Sequence, residues 1–266
     1  MLLKIENIDI NIREKTYNMT PLFAACQYGY YKVIRHLLQH PKVEVNKCAY
    51  AYYATPLYMA AVGGHLGAVV EMLTNKDVKV NQGTKDNGST PLLGAIQNGH
   101  LEITKALMDD ARTDINQGRT DDGSTPLYFA AEYRRPEIVR MMLKYKNIDV
   151  NKSNTLNQGP LHIASENNDK TIVKLLLKHP DINATAKAVS ISNSKMEFDA
   201  LYASRNNKKV NKQIKRAIKH RCYVCHQKSN LKCGRCKKYF YCNKDCQRKH
   251  WKEHKVECKK IQNEEH

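Results

Sequence analysis

The sequence predicts a mainly α-helical chain: a stack of helix–turn–helix units with extended turns, followed by a small, separately organised C-terminal module. Three observations predict this. Thr-Pro-Leu recurs at Thr20, Thr55, Thr90 and Thr125, and Gly159-Pro160-Leu161 follows the last of them. Asparagine recurs in phase at Asn11, Asn46, Asn81, Asn116 and Asn151. Seven of the nine cysteines crowd between Cys222 and Cys258. The first two markers share a 35-residue period, which is the signature of repeated supersecondary units stacked on one another.

Each unit begins with a helix. Threonine is a good N-cap, and proline at the first helical position gives up an N–H that has no intrahelical partner anyway. Gly29, Gly64 and Gly99 stand where a left-handed residue would end that helix. A second helix follows, with apolar residues at core-facing spacing. One column runs Val33, Ala68, Ile103, Ile138, Ile172. A second runs Leu37, Met72, Leu107, Met142, Leu176, and beside it Leu38, Leu73, Met108, Leu143, Leu177. No unit could bury such stripes alone, so neighbours must stack. Asparagine closes each extended segment, as in Val43-Glu44-Val45-Asn46.

These triplets, the Gly64-His65-Leu66 and Gly99-His100-Leu101 turns, the paired leucine-like positions and the closing Val/Ile-Asn resemble the ankyrin repeat family. The resemblance covers 1–187: a partial first repeat, then repeats near 18–52, 53–87, 88–122, 123–157 and 158–187. Its usual period is lengthened here by two residues, in the turn carrying His40-Pro41 and its equivalents. Arg134-Arg135-Pro136 replaces the Gly-His turn in the fourth full repeat, and Gly159 replaces threonine in the fifth. The resemblance implies an ankyrin solenoid that binds proteins through its turn tips and the concave face of the first helices. Tyr50, Tyr52 and Tyr53 cluster at the second tip and are the candidate contact there, since tyrosine is favoured at interface hot spots; packing between adjacent tips is the other reading. Asp86, Asp121 and Asp122 read as turn chemistry, Cys26 as core, and Cys48 as an ordinary turn residue.

Residues 188–221 read as a degenerate repeat or capping helix and linker. The segment 184–198 lacks periodicity and reads as a loop or a degraded repeat, and 199–221 is helical again with Val210, Ile214, Ala217 and Ile218 on one face. Basic residues from Arg205 to Arg221 fill the other faces. Such a run is a solvated face, a nuclear import signal or a nucleic-acid contact.

The cysteine cluster has the order Cys222-x2-Cys225-x7-Cys233-x2-Cys236-x5-Cys242-x3-Cys246-x7-His254-x3-Cys258. Eight sulfur and nitrogen donors make two tetrahedral sets, as closed structural zinc sites require. The expectation is two structural Zn²⁺ per chain, with no open position for a catalytic water. So short a segment cannot build its own core, and metal binding supplies the folding free energy, about 10–16 kcal/mol per structural site. Spacing alone leaves the pairing of ligands open, and His250 is a competing donor, also four residues after Cys246.

Residues 222–258 resemble a MYND-type zinc finger through these ligands and through Tyr241-Cys242, Cys246-Gln247, Trp251 and His254-Lys255. The resemblance implies interleaved ligation: Cys222, Cys225, Cys242 and Cys246 on one zinc, and Cys233, Cys236, His254 and Cys258 on the other. It favours His254 over His250 and implies a shallow groove for proline-containing peptides lined by Gln247 and Trp251. The alternative makes Trp251 the small core of the module. A RING finger ends in a Cys-x2-Cys that is absent here. Residues 259–266 are a tail.

Charge and composition narrow the function. No stretch reaches the 18 apolar residues of a membrane span, and the first residues lack a secretory pattern. The expected place is therefore inside the cell, in cytoplasm, nucleus or both, as a monomer whose cysteines stay reduced. The formal net charge is +18, but residues 1–187 hold 23 basic against 19 acidic residues, and 188–266 hold 21 against 7. Seven thiolates and two Zn²⁺ would lower the second balance to about +11. The reading is a non-enzymatic adaptor, with solenoid and finger each holding a protein. A nucleic-acid-associated transcriptional regulator using the basic region is the alternative. MYND fingers also occur in lysine methyltransferases, but about 42 residues remain outside solenoid and finger, too few for a catalytic domain. No phosphate-binding loop or nucleophile–base pair is evident.

Overall fold

A computed structural model of the chain describes residues 9–49, 53–184, 186–189, 197–199, 207–219, 231–232, 240–241, 248 and 251. It divides into two compact units, one ending at Ile148 and the other beginning at Asp149.

The first unit contains four helix pairs: α1 (Pro21–Gln27) with α2 (Tyr31–Leu38), α3 (Pro56–Val62) with α4 (Leu66–Leu73), α5 (Pro91–Asn98) with α6 (Leu101–Asp109), and α7 (Pro126–Glu132) with α8 (Pro136–Met142). The first helices pack in chain order, α1 on α3, α3 on α5 and α5 on α7; the second helices do the same beside them. Every first helix starts as the sequence predicts. The hydroxyls of Thr20, Thr55, Thr90 and Thr125 accept the N–H three residues on, at 3.2–3.3 Å. Each such cap contributes about 1 kcal/mol.

Between the layers lies a core of small and branched side chains. Ala25 and Cys26, Ala60 and Ala61, Ala95 and Ile96, and Ala130 and Ala131 are buried in the first helices, so their backbones approach closely. Cys26 is core, as expected, and burial pushes its thiol well above the usual cysteine range. On the second helices Leu37, Met72, Leu107 and Met142 are buried, and so are Ile34, Val69 and Val139.

Two expected columns need correction. Val33 is 47% exposed while Ala68, Ile103 and Ile138 are buried; no second helix precedes α2 among the described residues to cover that position. Leu38, Leu73 and Leu143 are only half-buried, and Met108 is the buried member of their row. This row lies on the helix flank, one residue past the line that faces the first-helix layer.

Left-handed glycines end the first helices. Gly29, Gly64 and Gly99 have φ of 73°, 78° and 78°. A Cβ on Gly29 would stand 2.6 Å from the His65 ring, and one on Gly64 would stand 2.8 Å from the His100 ring. Glycine therefore supplies both the turn and the space for the next repeat's histidine. His65 Nε2 lies 3.0 Å from the Gln27 carbonyl, and His100 Nε2 lies 3.0 Å from the Val62 carbonyl. A carbonyl only accepts, so each Nε2 carries the proton.

In the second unit, α9 (Pro160–Glu166) pairs with α10 (Lys170–Lys178), and α11 (Lys208–Lys219) packs on α10. Gly159 offers no capping hydroxyl, and His162 takes over: its Nδ1 accepts the Gly159 N–H at 3.2 Å and its Nε2 donates to the Ala186 carbonyl at 2.8 Å. Ile172 and Leu176 on α10 and Val210 and Ile214 on α11 are all buried with the same four-residue spacing. Part of the segment expected to be a loop is extended and paired. β1 (Lys187–Val189) and β2 (Glu197–Asp199) are antiparallel, with Ala188 opposite Phe198. A second antiparallel pair joins β3 (Leu231–Lys232) to β4 (Phe240–Tyr241).

Candidate interaction surfaces

The turn tips are held by a ladder of side-chain amides. Asn11, Asn46, Asn81 and Asn116 each donate from Nδ2 to a carbonyl 31 residues on, those of Lys42, Asp77, Arg112 and Asn147, all at 2.7 Å. The Oδ1 atoms of Asn11, Asn46 and Asn81 accept the N–H of Glu44, Lys79 and Asp114 at 2.8–2.9 Å. Within the second unit Asn151 makes the same two bonds, to Asp181 and from Asn183. The asparagine amide donates from Nδ2 and accepts at Oδ1 at once, and both roles are used at this position.

Tyr53 is the described member of the expected tyrosine tip; Tyr50 and Tyr52 lie outside the described residues. The corresponding tip positions hold Asn18, Gly88, Gly123 and Asn157, all at positive φ, and Tyr53 has φ of 45°. That conformation suits glycine or asparagine and costs a bulky residue about 1–2 kcal/mol. Tyr53 is 45% exposed, and the Lys85 ammonium lies 4.8 Å from its ring centroid.

A charged and aromatic strip along α3, α5 and α7 was not singled out in the sequence. Tyr133 stacks on Phe129 at 5.8 Å, and Gln97 Nε2 lies 3.0 Å from the Tyr133 hydroxyl oxygen. The Arg119 guanidinium lies 5.6 Å from the Phe129 ring centroid and pairs with Asp121. Burial, then Asp122, pushes the Glu132 carboxyl above its usual range. Burial, then Asp86, pushes the Tyr58 hydroxyl up. The Thr84 hydroxyl holds Asp86 below its usual range. Asp122 does what turn chemistry predicts, accepting the Ser124 N–H and hydroxyl at 2.8 Å. The strip escaped notice because its members are dispersed between residues 58 and 133; only the repeat stacking assembles them.

The expected zinc ligands Cys222, Cys225, Cys233, Cys236, Cys242, Cys246, His254 and Cys258, with Gln247, lie outside the described residues. Trp251 is helical and half-buried. The register of β3 and β4 sets Leu231 against Tyr241 and Lys232 against Phe240. Among the described residues no helix is long and apolar enough to cross a membrane.

Comparison with known proteins agrees with both parts. A family model of ankyrin repeats matches residues 42–119 and 112–188, a single-repeat model matches 17–47, and a MYND finger model matches 222–258. The crystal structure of the human ASB11 ankyrin repeat domain superposes with a TM-score of 0.63, covering 81% of this chain and 90% of that one at 21% identity. N-lysine methyltransferase SMYD2-B of Danio rerio is 47% identical over 47 residues, 16% of this chain and 11% of that protein. The zinc finger MYND domain-containing protein 10 homolog of Drosophila melanogaster is 49% identical over 41 residues, 15% of this chain and 9% of that protein. The chain thus spans about a tenth of the length of these curated relatives. Ankyrin repeats and MYND fingers are non-catalytic protein-interaction modules, and a MYND finger binds zinc.

Proposed function

Because the chain belongs to the ankyrin repeat family, we propose that it is a non-enzymatic intracellular adaptor: the repeats hold one protein while the MYND finger holds a short proline-containing peptide of another. The observation that carries this reading is the joining of two interaction modules of different kinds in one chain. The exposed, strained Tyr53 and the exposed Tyr133 at the end of α7 supply contact surface on the repeats. Zinc is structural, two ions per chain on interleaved ligand sets, Cys222, Cys225, Cys242 and Cys246 against Cys233, Cys236, His254 and Cys258. Gln247 and Trp251 line the peptide groove.

Metal analysis of the purified chain is expected to give two zincs; one or none would sink the ligand assignment. An array of proline-containing peptides tests the groove. The wild-type chain binds a subset, and the Gln247→Ala/Trp251→Ala variant, with zinc content unchanged, binds them at least about fivefold more weakly, as loss of an interface anchor worth over 1 kcal/mol requires. Equal binding by both chains would exclude this groove.

A further inference from the structure

Residues 200–244 contain fourteen Lys or Arg and no Asp or Glu. The first unit is built the other way. Arg35 pairs with Glu71, Lys105 with Asp109, Arg112 with Asp110 and Arg119 with Asp121.

The helix α11 is the described core of that acid-free stretch. Val210 and Ile214 are buried, and the helix packs on α10. Lys208, Lys209, Lys212 and Lys215 are exposed, and no ion pair among the described residues involves them. Lys208, Lys212 and Lys215 follow an i, i+4, i+7 ridge along one side. Like charges at this spacing each cost an isolated helix a few tenths of a kcal/mol, so the face opposes its own helix until an anion neutralises it.

We propose that this lysine face binds the phosphate backbone of double-stranded nucleic acid, by charge and without reading base sequence. The proposal uses neither the repeat tips nor the finger groove and stands apart from the adaptor reading. Twelve residues of helix run about 18 Å, a length over which a duplex presents on the order of ten phosphates. Lysine is a flexible point charge suited to such a field, not a planar fork that selects one acceptor pair. Residues 208–219 contain no aromatic side chain, so the stacking platform of a single-strand binder is missing from the helix. Val210 and Ile214 are already buried, which leaves those two side chains unavailable for insertion at a lipid surface.

The test uses the full-length, zinc-loaded chain and a short fluorescent mixed-sequence DNA duplex, read by anisotropy. Four neutralised phosphates predict that affinity falls about 150-fold between about 50 and about 200 mM salt, with contributions of about 0.9 per lysine to the log–log slope. The Lys208→Gln/Lys209→Gln/Lys212→Gln/Lys215→Gln variant should lose about 3.6 from that slope while keeping its helicity and zinc. The corresponding four-fold Lys→Arg variant keeps the charge and should keep the binding, which guards against a glutamine variant that misfolds. Wild-type affinity and slope in the glutamine variant, or lost binding in the arginine variant, would overturn the proposal. So would stronger competition from polyglutamate or phosphatidylserine vesicles than from unlabelled duplex at equal charge; that would reassign the face to an acidic protein or a membrane.

Discussion

Arg135 Nη2 donates to the carbonyl of Gln97 at 2.9 Å, 38 residues back along the chain, the same interval over which His65 and His100 bond Gln27 and Val62. A Cβ on Gly99 would stand 2.8 Å from the guanidinium carbon, as one on Gly64 would stand 2.8 Å and one on Gly29 2.6 Å from the histidine rings of the earlier repeats. The fourth repeat has thus lost its histidine without losing the contact.

The replacement is imperfect, and that makes it testable. Arg135 Nε is buried without a hydrogen-bond partner, and Arg134 holds φ of 53° where Gly29, Gly64 and Gly99 stand in the other repeats. Arg135→Ala should lower stability by about 1 kcal/mol through the lost bond. Arg134→Gly/Arg135→His should raise it by about 1 kcal/mol, by removing left-handed strain and the unmet donor. Urea midpoints of the full chain decide it; a double variant less stable than wild type would show that the guanidinium has a role beyond the histidine's.

The Tyr145 hydroxyl donates to Asp109 Oδ1 at 2.6 Å, and the Lys105 ammonium holds Oδ2 of the same carboxylate at 2.7 Å. Burial, then the bond to Asp109, pushes the Tyr145 hydroxyl up to about 12. Its folded value lies above the unfolded value of about 10, so the stability it contributes is fully present below pH ~10 and is lost as pH rises toward ~12. Tyr145 is only half-buried, and solvent screening reduces its contribution to about 1 kcal/mol. Tyr145→Phe should therefore be about 1 kcal/mol less stable at pH ~8 and should match wild type by pH ~12. Asp109 works at the other end: Lys105 first, then Tyr145, holds it below the usual carboxylate range, so its contribution is present above pH ~4 and lost as pH falls. Melting curves of the two chains across this range would show parallel alkaline limbs if the bond were absent in solution.

How far the fold was legible depended on whether a residue's reason was local. The Thr-Pro start is local, since cap and first turn lie within four residues, and Thr20, Thr55, Thr90 and Thr125 behave as their sequence predicts. The asparagine period was equally visible, but its mechanism was not: Asn46 reaches Asp77 and Lys79, partners that only stacking brings near. Val33 was misjudged because its neighbours in the column, Ala68, Ile103 and Ile138, are interior members of the stack, and a column carries no sign of where the stack ends. The strip around Arg119 and Phe129 was illegible for the same reason as the ladder's partners. The expected metal ligands lie outside the described residues, and their spacing left both the pairing and the choice between His254 and His250 open.

Tyr53 has the opposite character to the ladder asparagines: it occupies a position whose backbone it does not suit. With φ of 45° where Asn18, Gly88, Gly123 and Asn157 stand in the other repeats, it carries strain that glycine would not. Three substitutions separate strain from side-chain contact. Tyr53→Ala removes the ring and its contact with Lys85 but keeps a Cβ at positive φ. Tyr53→Gly removes both, and Tyr53→Asn places a residue that tolerates the left-handed region. Glycine and asparagine should each exceed alanine by about 1 kcal/mol, the left-handed cost being 1–2 kcal/mol less glycine's own entropy in the unfolded chain. Equal stability of the alanine and glycine variants in urea titration would show that the tip relaxes and stores nothing. If the strain is real, the repeats hold an exposed aromatic ring at a cost to their own stability, and a surface contact is the use that such a cost supports.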